Sequence, residues 1–210
     1  MADNLVITIA REYGSGGLKI SKRLAEELGI SHYDSDVLTQ VSTNINNLSM
    51  LSEKVKDNES LMDAAKHNYE GEALPKESDD FLSMEKLFSY QSAIIKELAE
   101  KESCVIVGRC ANYILGNKPN VIRVFIHAPM EFRVKRKSLV HSELSSKGLE
   151  TYINRIDGHK ASYYKYYTGY EWTDCRNYDL VLDCSVLGIQ NCIDRIKEFA
   201  ELKSGMKIEK

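Results

Sequence analysis

Three glycines fall within four positions, Gly14, Gly16 and Gly17 around Ser15. A turn this rich in glycine lets the main chain approach a ligand closely and lets successive N–H groups converge, which is the chemistry of oxyanion binding. Arg11 and Lys19 flank the turn with positive charge, and Ser15 and Ser21 add hydroxyls that a metal ion could use. Further along, Arg109 follows an apolar run that ends at Gly108, and Arg133 and Arg136 lie three residues apart. Guanidinium and ammonium groups are the side chains that neutralise phosphates. The set suits binding and transfer of a phosphoryl group, where positioning and charge neutralisation do most of the work.

The elements that must position these groups can be read from periodicity. Leu5 to Ile9 is apolar and β-branched, as a buried strand requires, and the glycine turn follows it. Ile20, Leu24 and Leu28 then recur at helical spacing, and Gly29 is the expected stop. The turn therefore sits at a helix N-terminus, whose dipole adds partial positive charge for an anion. Strand candidates recur at 30–33, 104–107, 121–128 and 177–183, and helical patterns separate them. This alternation predicts an α/β fold with a five-stranded parallel sheet and helices on both faces. Ligands of such sheets collect at the carboxyl ends of the strands, where Asp34 and Arg109 would lie.

Between the second and third strands, residues 37–101 read as helical with a break. Val41, Ile45, Leu48 and Leu51 carry a weak pattern, Asn68 to Asp80 reads as a loop, and Phe81 to Lys101 is a stronger helix. Either Ser35 or Asp36 suits the cap that opens the segment. Pro129 is expected as the first residue of a helix carrying Arg133 and Arg136 on one face. Ser138 to Lys147 reads as a polar loop, Leu149 to Tyr167 as helix, and Leu187 to Leu202 as the closing helix. Six aromatics between Tyr163 and Trp172 are expected to pack against the core, with a homodimer contact as a subsidiary expectation.

At 210 residues with 43% hydrophobic content, one domain is expected across the chain. A net charge of −3 argues against non-specific nucleic-acid binding. No run is apolar and long enough for a membrane span, and no leader pattern is read at the start, so a cytoplasmic protein without membrane partners is expected. Five cysteines without C-x-x-C pairing read as free thiols, and no metal-ligand set is read from them.

The stretch GSGGLKISKRLAEELGISHYDSD resembles the opening of bacterial cytidylate kinases, and REYGSGG, VIVGRCANYIL, VFIHAPMEFRVKR, YYKYYTG and NYDLVLDCSVLGI resemble the cytidylate kinase-like group over nearly the whole chain. That resemblance implies a P-loop NTPase-like fold, a helical acceptor-binding insertion at about 37–101 and a lid at about 133–165. It implies ATP and Mg²⁺ as cofactors and a nucleoside monophosphate such as CMP as the small acceptor. Gly14, Ser15, Gly16, Gly17, Arg11, Lys19 and Ser21 would then face the donor phosphates. Asp34, Arg109, Asp157 and Lys160 would face the acceptor, and Arg133, Arg136 and Lys19 would act during transfer. Against the G-x-x-x-x-G-K-[ST] pattern, Arg11 takes the first glycine position and Gly17 the lysine, while Lys19 takes the threonine of GSGKGT. Gly108-Arg109-Cys110 replaces a GRD element, and Lys160 replaces the arginine of a D-x-x-R element. These departures leave two rival expectations: a catalytically weak nucleotide-binding sensor, or a kinase of a non-nucleotide small molecule.

Overall fold

The computed structural model describes residues 4–34, 38, 79–205 and 207, with the side chains of 79–87 excepted. The helical pattern at 41–51, the cap at Ser35 or Asp36, and residues 68–78 of the expected loop lie outside the described residues, while Asp79 and Asp80, read as the end of that loop, begin a helix.

Five strands form one sheet: β1 Val6–Arg11, β2 Ser31–Tyr33, β3 Cys104–Val107, β4 Val121–His127 and β5 Leu180–Asp183. Their order is β2-β3-β1-β4-β5, and every pairing is parallel. β1 is central, as its largely apolar and β-branched run requires, because a parallel strand is covered on both faces. Alternation along β1 divides two cores. Val6 and Ala10 face one with Phe88, Ile95, Phe125 and Trp172, while Ile7 and Ile9 face the other with Ile20, Leu24, Ile193 and Ile196.

The second core is covered by α1 (Gly17–Leu28) and the last helix, and the first by the helices that follow β2 and β3. These are α2 (Asp79–Lys101) and the short α3 (Ala111–Leu115). β4 leads into α4 (Met130–Lys137), then α5 (Ser146–Thr168), and β5 into α6 (Cys184–Ser204). Gly29 ends α1 in the left-handed conformation, its amide returning to the last turn.

Four boundaries differ from the sequence reading, for local reasons. Pro129 is extended (φ −55°, ψ 149°), so it caps α4 and does not form its first turn. α5 begins at Ser146 because the Ser145 hydroxyl accepts from the Gly148 amide at 3.2 Å. α6 starts at Cys184 because Asp183 accepts from the Ser185 amide at 2.8 Å, and Gly188 (φ 71°) then interrupts it. α3 was not foreseen, since the backbone that launches it is unusual: Gly108, Arg109 and Cys110 all have positive φ, at 80°, 52° and 58°.

Five of the six aromatics pack as expected, and Tyr170 is exposed. Tyr167 stacks on Phe88 at 3.9 Å between centroids, and Trp172 meets Phe125 edge-on at 5.3 Å. Four cysteines are buried and Cys175 is exposed. Among the described residues no helix is long and apolar enough to cross a membrane.

Candidate functional site

The glycine turn joins the end of β1 to α1. Gly14 and Gly16 hold φ of 85° and 105°, a conformation glycine adopts without a β-carbon penalty. Ser15 faces inward: it is fully buried, its hydroxyl donates to the Glu12 carbonyl at 2.9 Å, and its amide returns to the same oxygen at 3.3 Å. The Gly17 amide makes a long contact of 3.4 Å to the Ser15 hydroxyl. Among the described residues no hydrogen bond occupies the amides of Gly14, Gly16, Leu18 and Lys19. Unsatisfied donors at the head of a twelve-residue helix are what an oxyanion requires.

These amides open on a cavity of about 540 Å³ whose lining carries seven cations against two carboxylates, Glu12 and Glu26. The cations are Arg11, Lys19, Lys22, Arg23, Arg136, Lys137 and Lys160. Beside it, at the ends of β1 and β3, lies a second cavity of about 300 Å³. Among the described residues Arg11, Arg109, His159 and Lys160 line it with no carboxylate, over a floor of Thr8, Ile9, Ala10 and Trp172. Arg11 and Lys160 line both cavities.

Residues 6–186 match the model of the cytidylate kinase-like family. The chain belongs to that family. No curated protein sequence matches it. An uncharacterised protein from Eubacterium ventriosum has a similar solved structure, at 25% identity and a TM-score of 0.70, with 94% of this chain and 99% of that one covered. A gluconokinase from Sinorhizobium meliloti is similar at 14% identity and a TM-score of 0.51, with 96% and 95% covered. The fold of this cytidylate kinase-like chain is thus P-loop NTPase-like α/β, with the glycine turn at the end of the central strand.

Within that fold the paired arginines of α4 part company. Arg133 is buried, donates to Asp157 Oδ2 at 2.6 Å and has Nε 3.6 Å from Glu12. Arg136 reaches the loop instead: its Nη1 is 2.8 Å from where a β-carbon on Gly16 would stand, beside Cys184 Sγ at 3.1 Å. Asp157 also accepts from the Tyr13 amide at 2.8 Å and from Lys160 at 3.0 Å. It ties the glycine turn, α4 and α5 together, and it lines neither cavity.

Lys160 donates to the Arg11 carbonyl at 3.1 Å as well. Burial lowers its pKa to about 8, Asp157 opposing and Arg11 reinforcing the shift. Arg109 lies with Cζ 5.5 Å above the Tyr163 ring, in the left-handed stretch that ends β3. Asp34 follows β2 at the same end of the sheet and lines neither cavity. Ser21 is buried under α1, its hydroxyl donating to Leu18 O and paired with His32 Nε2, each at 2.9 Å. Lys19 is exposed on the rim of the glycine cavity.

Neither serine near the turn offers Mg²⁺ a free hydroxyl. Ser15 and Ser21 are both buried and engaged, and the usual threonine position holds Lys19. Among the described residues no cluster of three or more His, Cys, Asp or Glu could hold a metal ion. Cys184 shows one further perturbation. Its hydrogen bond with Cys192 and the nearby Arg136 lower its thiol to about 7, while Cys192 is raised.

Several lining residues carry no motif. Thr8 is legible only as a polar break in the apolar β1. Asn112, His159 and Tyr163 reach the second cavity through α3 and α5, and nothing in their spacing announces it.

Proposed function

We propose that this chain is a nucleoside monophosphate kinase-like phosphotransferase, which moves the γ-phosphoryl group of ATP to a small phosphorylated acceptor such as CMP. The observation that carries this reading is the pair of adjoining cationic cavities sharing Arg11 and Lys160, one of them opening on the unoccupied amides of the glycine turn. Donor phosphates fit the turn, with Arg136 and Lys19 at its rim. The acceptor phosphate fits beside Arg109, where a planar fork binds two oxygens at once.

An acceptor phosphate oxygen is already a nucleophile, so no general base is required. The bond from the γ-phosphorus to the ADP leaving oxygen breaks as the bond to the acceptor oxygen forms. Charge passes between groups that the cations of both cavities hold, and such electrostatic preorganisation supplies most of the rate in this chemistry. Mg²⁺ would accompany ATP by family expectation. Ser15 and Ser21 are turned away from it.

The test is ADP release from ATP, measured against a panel of nucleoside monophosphates and small phosphorylated or hydroxyl compounds. A nucleoside monophosphate that accelerates release at least tenfold over the water reaction supports the reading. Acceleration by a non-nucleotide alone makes the chain a small-molecule kinase. A second reading, a nucleotide sensor with little or no turnover, is favoured by glycine at the lysine position and by the inward turn of both loop serines. ATP binding with no acceptor-stimulated release would establish it.

A further inference from the structure

Gly17 has no side chain where the P-loop pattern has lysine, and the structure shows what fills the space. A β-carbon on Gly17 would stand 2.5 Å from the Arg11 β-carbon and 2.9 Å from its Cγ, closer than side-chain carbons approach one another. The Arg11 side chain continues across the strand end, and its Nη1 lies 2.8 Å from where a β-carbon on Gly108 would be. Arg11 thus passes from beneath the phosphate turn to the turn that carries Arg109, between two residues that each lack a side chain. It lines the donor cavity and the acceptor cavity alike.

We propose that Arg11 has taken over the charge of the missing lysine, as one guanidinium shared by the donor and acceptor phosphates, and that arginine at 11 and any side chain at 17 exclude each other. The assignment of the cavities to donor and acceptor rests on the phosphotransferase reading above; the exclusion does not. The chemistry favours the exchange. A lysine rising from the first turn of α1 addresses the donor as a point charge, whereas a planar fork with five donors can face two anions at once. Arg11 keeps its proton throughout, so it contributes field and hydrogen bonds and no proton transfer. The same geometry explains why the loop tolerates its departure from the P-loop pattern: the cation has moved across the turn, from the head of the helix to the end of β1.

The experiment has a steric arm and a binding arm. In the steric arm, Gly17→Ala is made with Arg11 present, in Arg11→Ala and in Arg11→Gly, and unfolding midpoints are compared. The substitution should lower the midpoint in the first two backgrounds, which keep the Arg11 β-carbon, and lower it much less in Arg11→Gly, where Ile126 Cβ at 3.3 Å is the remaining close neighbour. Equal effects in all three backgrounds overturn the exclusion.

In the binding arm, inorganic pyrophosphate and ATP are titrated calorimetrically into wild type and Arg11→Ala. Loss of one charge-assisted contact should weaken both about 10- to 100-fold with the unfolding midpoint retained. The Arg11→Gly/Gly17→Lys double variant should bind ATP more tightly than Arg11→Gly alone. Unchanged affinity in Arg11→Ala, or no gain in the double variant, overturns the shared-cation assignment. Arg11-dependent binding of both probes without acceptor-stimulated ADP release would defeat the kinase reading and leave this one standing.

Discussion

Asp157 accepts a hydrogen bond from Arg133 at 2.6 Å, and through it a helix that carries no part of the sheet is fastened behind the glycine turn. The carboxylate's other oxygen takes the Tyr13 amide and the Lys160 ammonium. Two side chains that the family resemblance named for ligand contact are placed to hold the loop in shape. Both are largely enclosed, at 9% and 16% side-chain exposure.

Removing one member of a buried pair costs about 3–5 kcal/mol when the other charge is left alone; Glu12 beside Arg133 and Lys160 beside Asp157 keep the loss near the low end of that range. Asp157→Ala is therefore expected to lose about that much unfolding free energy in a urea titration, and Arg133→Ala a similar amount. The double variant should lose less than the sum of the two. Strict additivity would show that the pair is not coupled.

Arg136 should behave in the opposite way. It lies against Gly16 on the open side of the loop, with its guanidinium 5.9 Å from the Phe132 ring centroid. Arg136→Ala is expected to change stability by under about 1 kcal/mol, as for a half-buried side chain at the rim of a cavity. Its kcat/KM for ATP turnover should fall about 10- to 1000-fold if it stabilises charge in transfer. A stability loss matching that of Arg133→Ala would place it in the scaffold instead.

Lys160 gives the pH dependence. With its pKa near 8, the folded chain loses this ammonium as pH rises from 7 to 9, and phosphate affinity should fall across that window. The sign for folding is opposite. The unfolded lysine keeps its proton to about 10.4. Between the two values the unfolded chain binds more protons, so this group's contribution to stability rises with pH. Weaker binding at pH 9 without a lower unfolding midpoint is the expected pattern, and Lys160→Arg should flatten the binding profile. A bound phosphate opposes the deprotonation, so the profile should shift upward at saturating ligand.

Arg109 is expected to act on the acceptor alone. Arg109→Lys keeps the charge but loses the fork, and should raise the acceptor KM about 10-fold, with Arg109→Ala raising it about 100-fold. The KM for ATP should stay within about twofold. Equal effects on both substrates would mean that the left-handed turn at 108–110 had collapsed and not merely lost a ligand group.

The chain's own order of residues determined much of this protein. The apolar β1, the three glycines behind it and the stripe of Ile20 and Leu24 specify a strand, an anion-binding turn and a helix, because each follows from local sterics and from periodic burial. The same logic specified the parallel sheet and the packing of the aromatic run. What it could not assign were partners across long separations. Arg133 and Arg136 share a residue type and a helix, yet Asp157 and Glu12 claim one while the loop receives the other. Arg11 and Gly108 are 97 positions apart (108 minus 11), and only the parallel register of β1 with β3 brings them side by side. Spacing along the chain chooses which face of an element a side chain occupies; which charge waits on that face is decided when the elements pack.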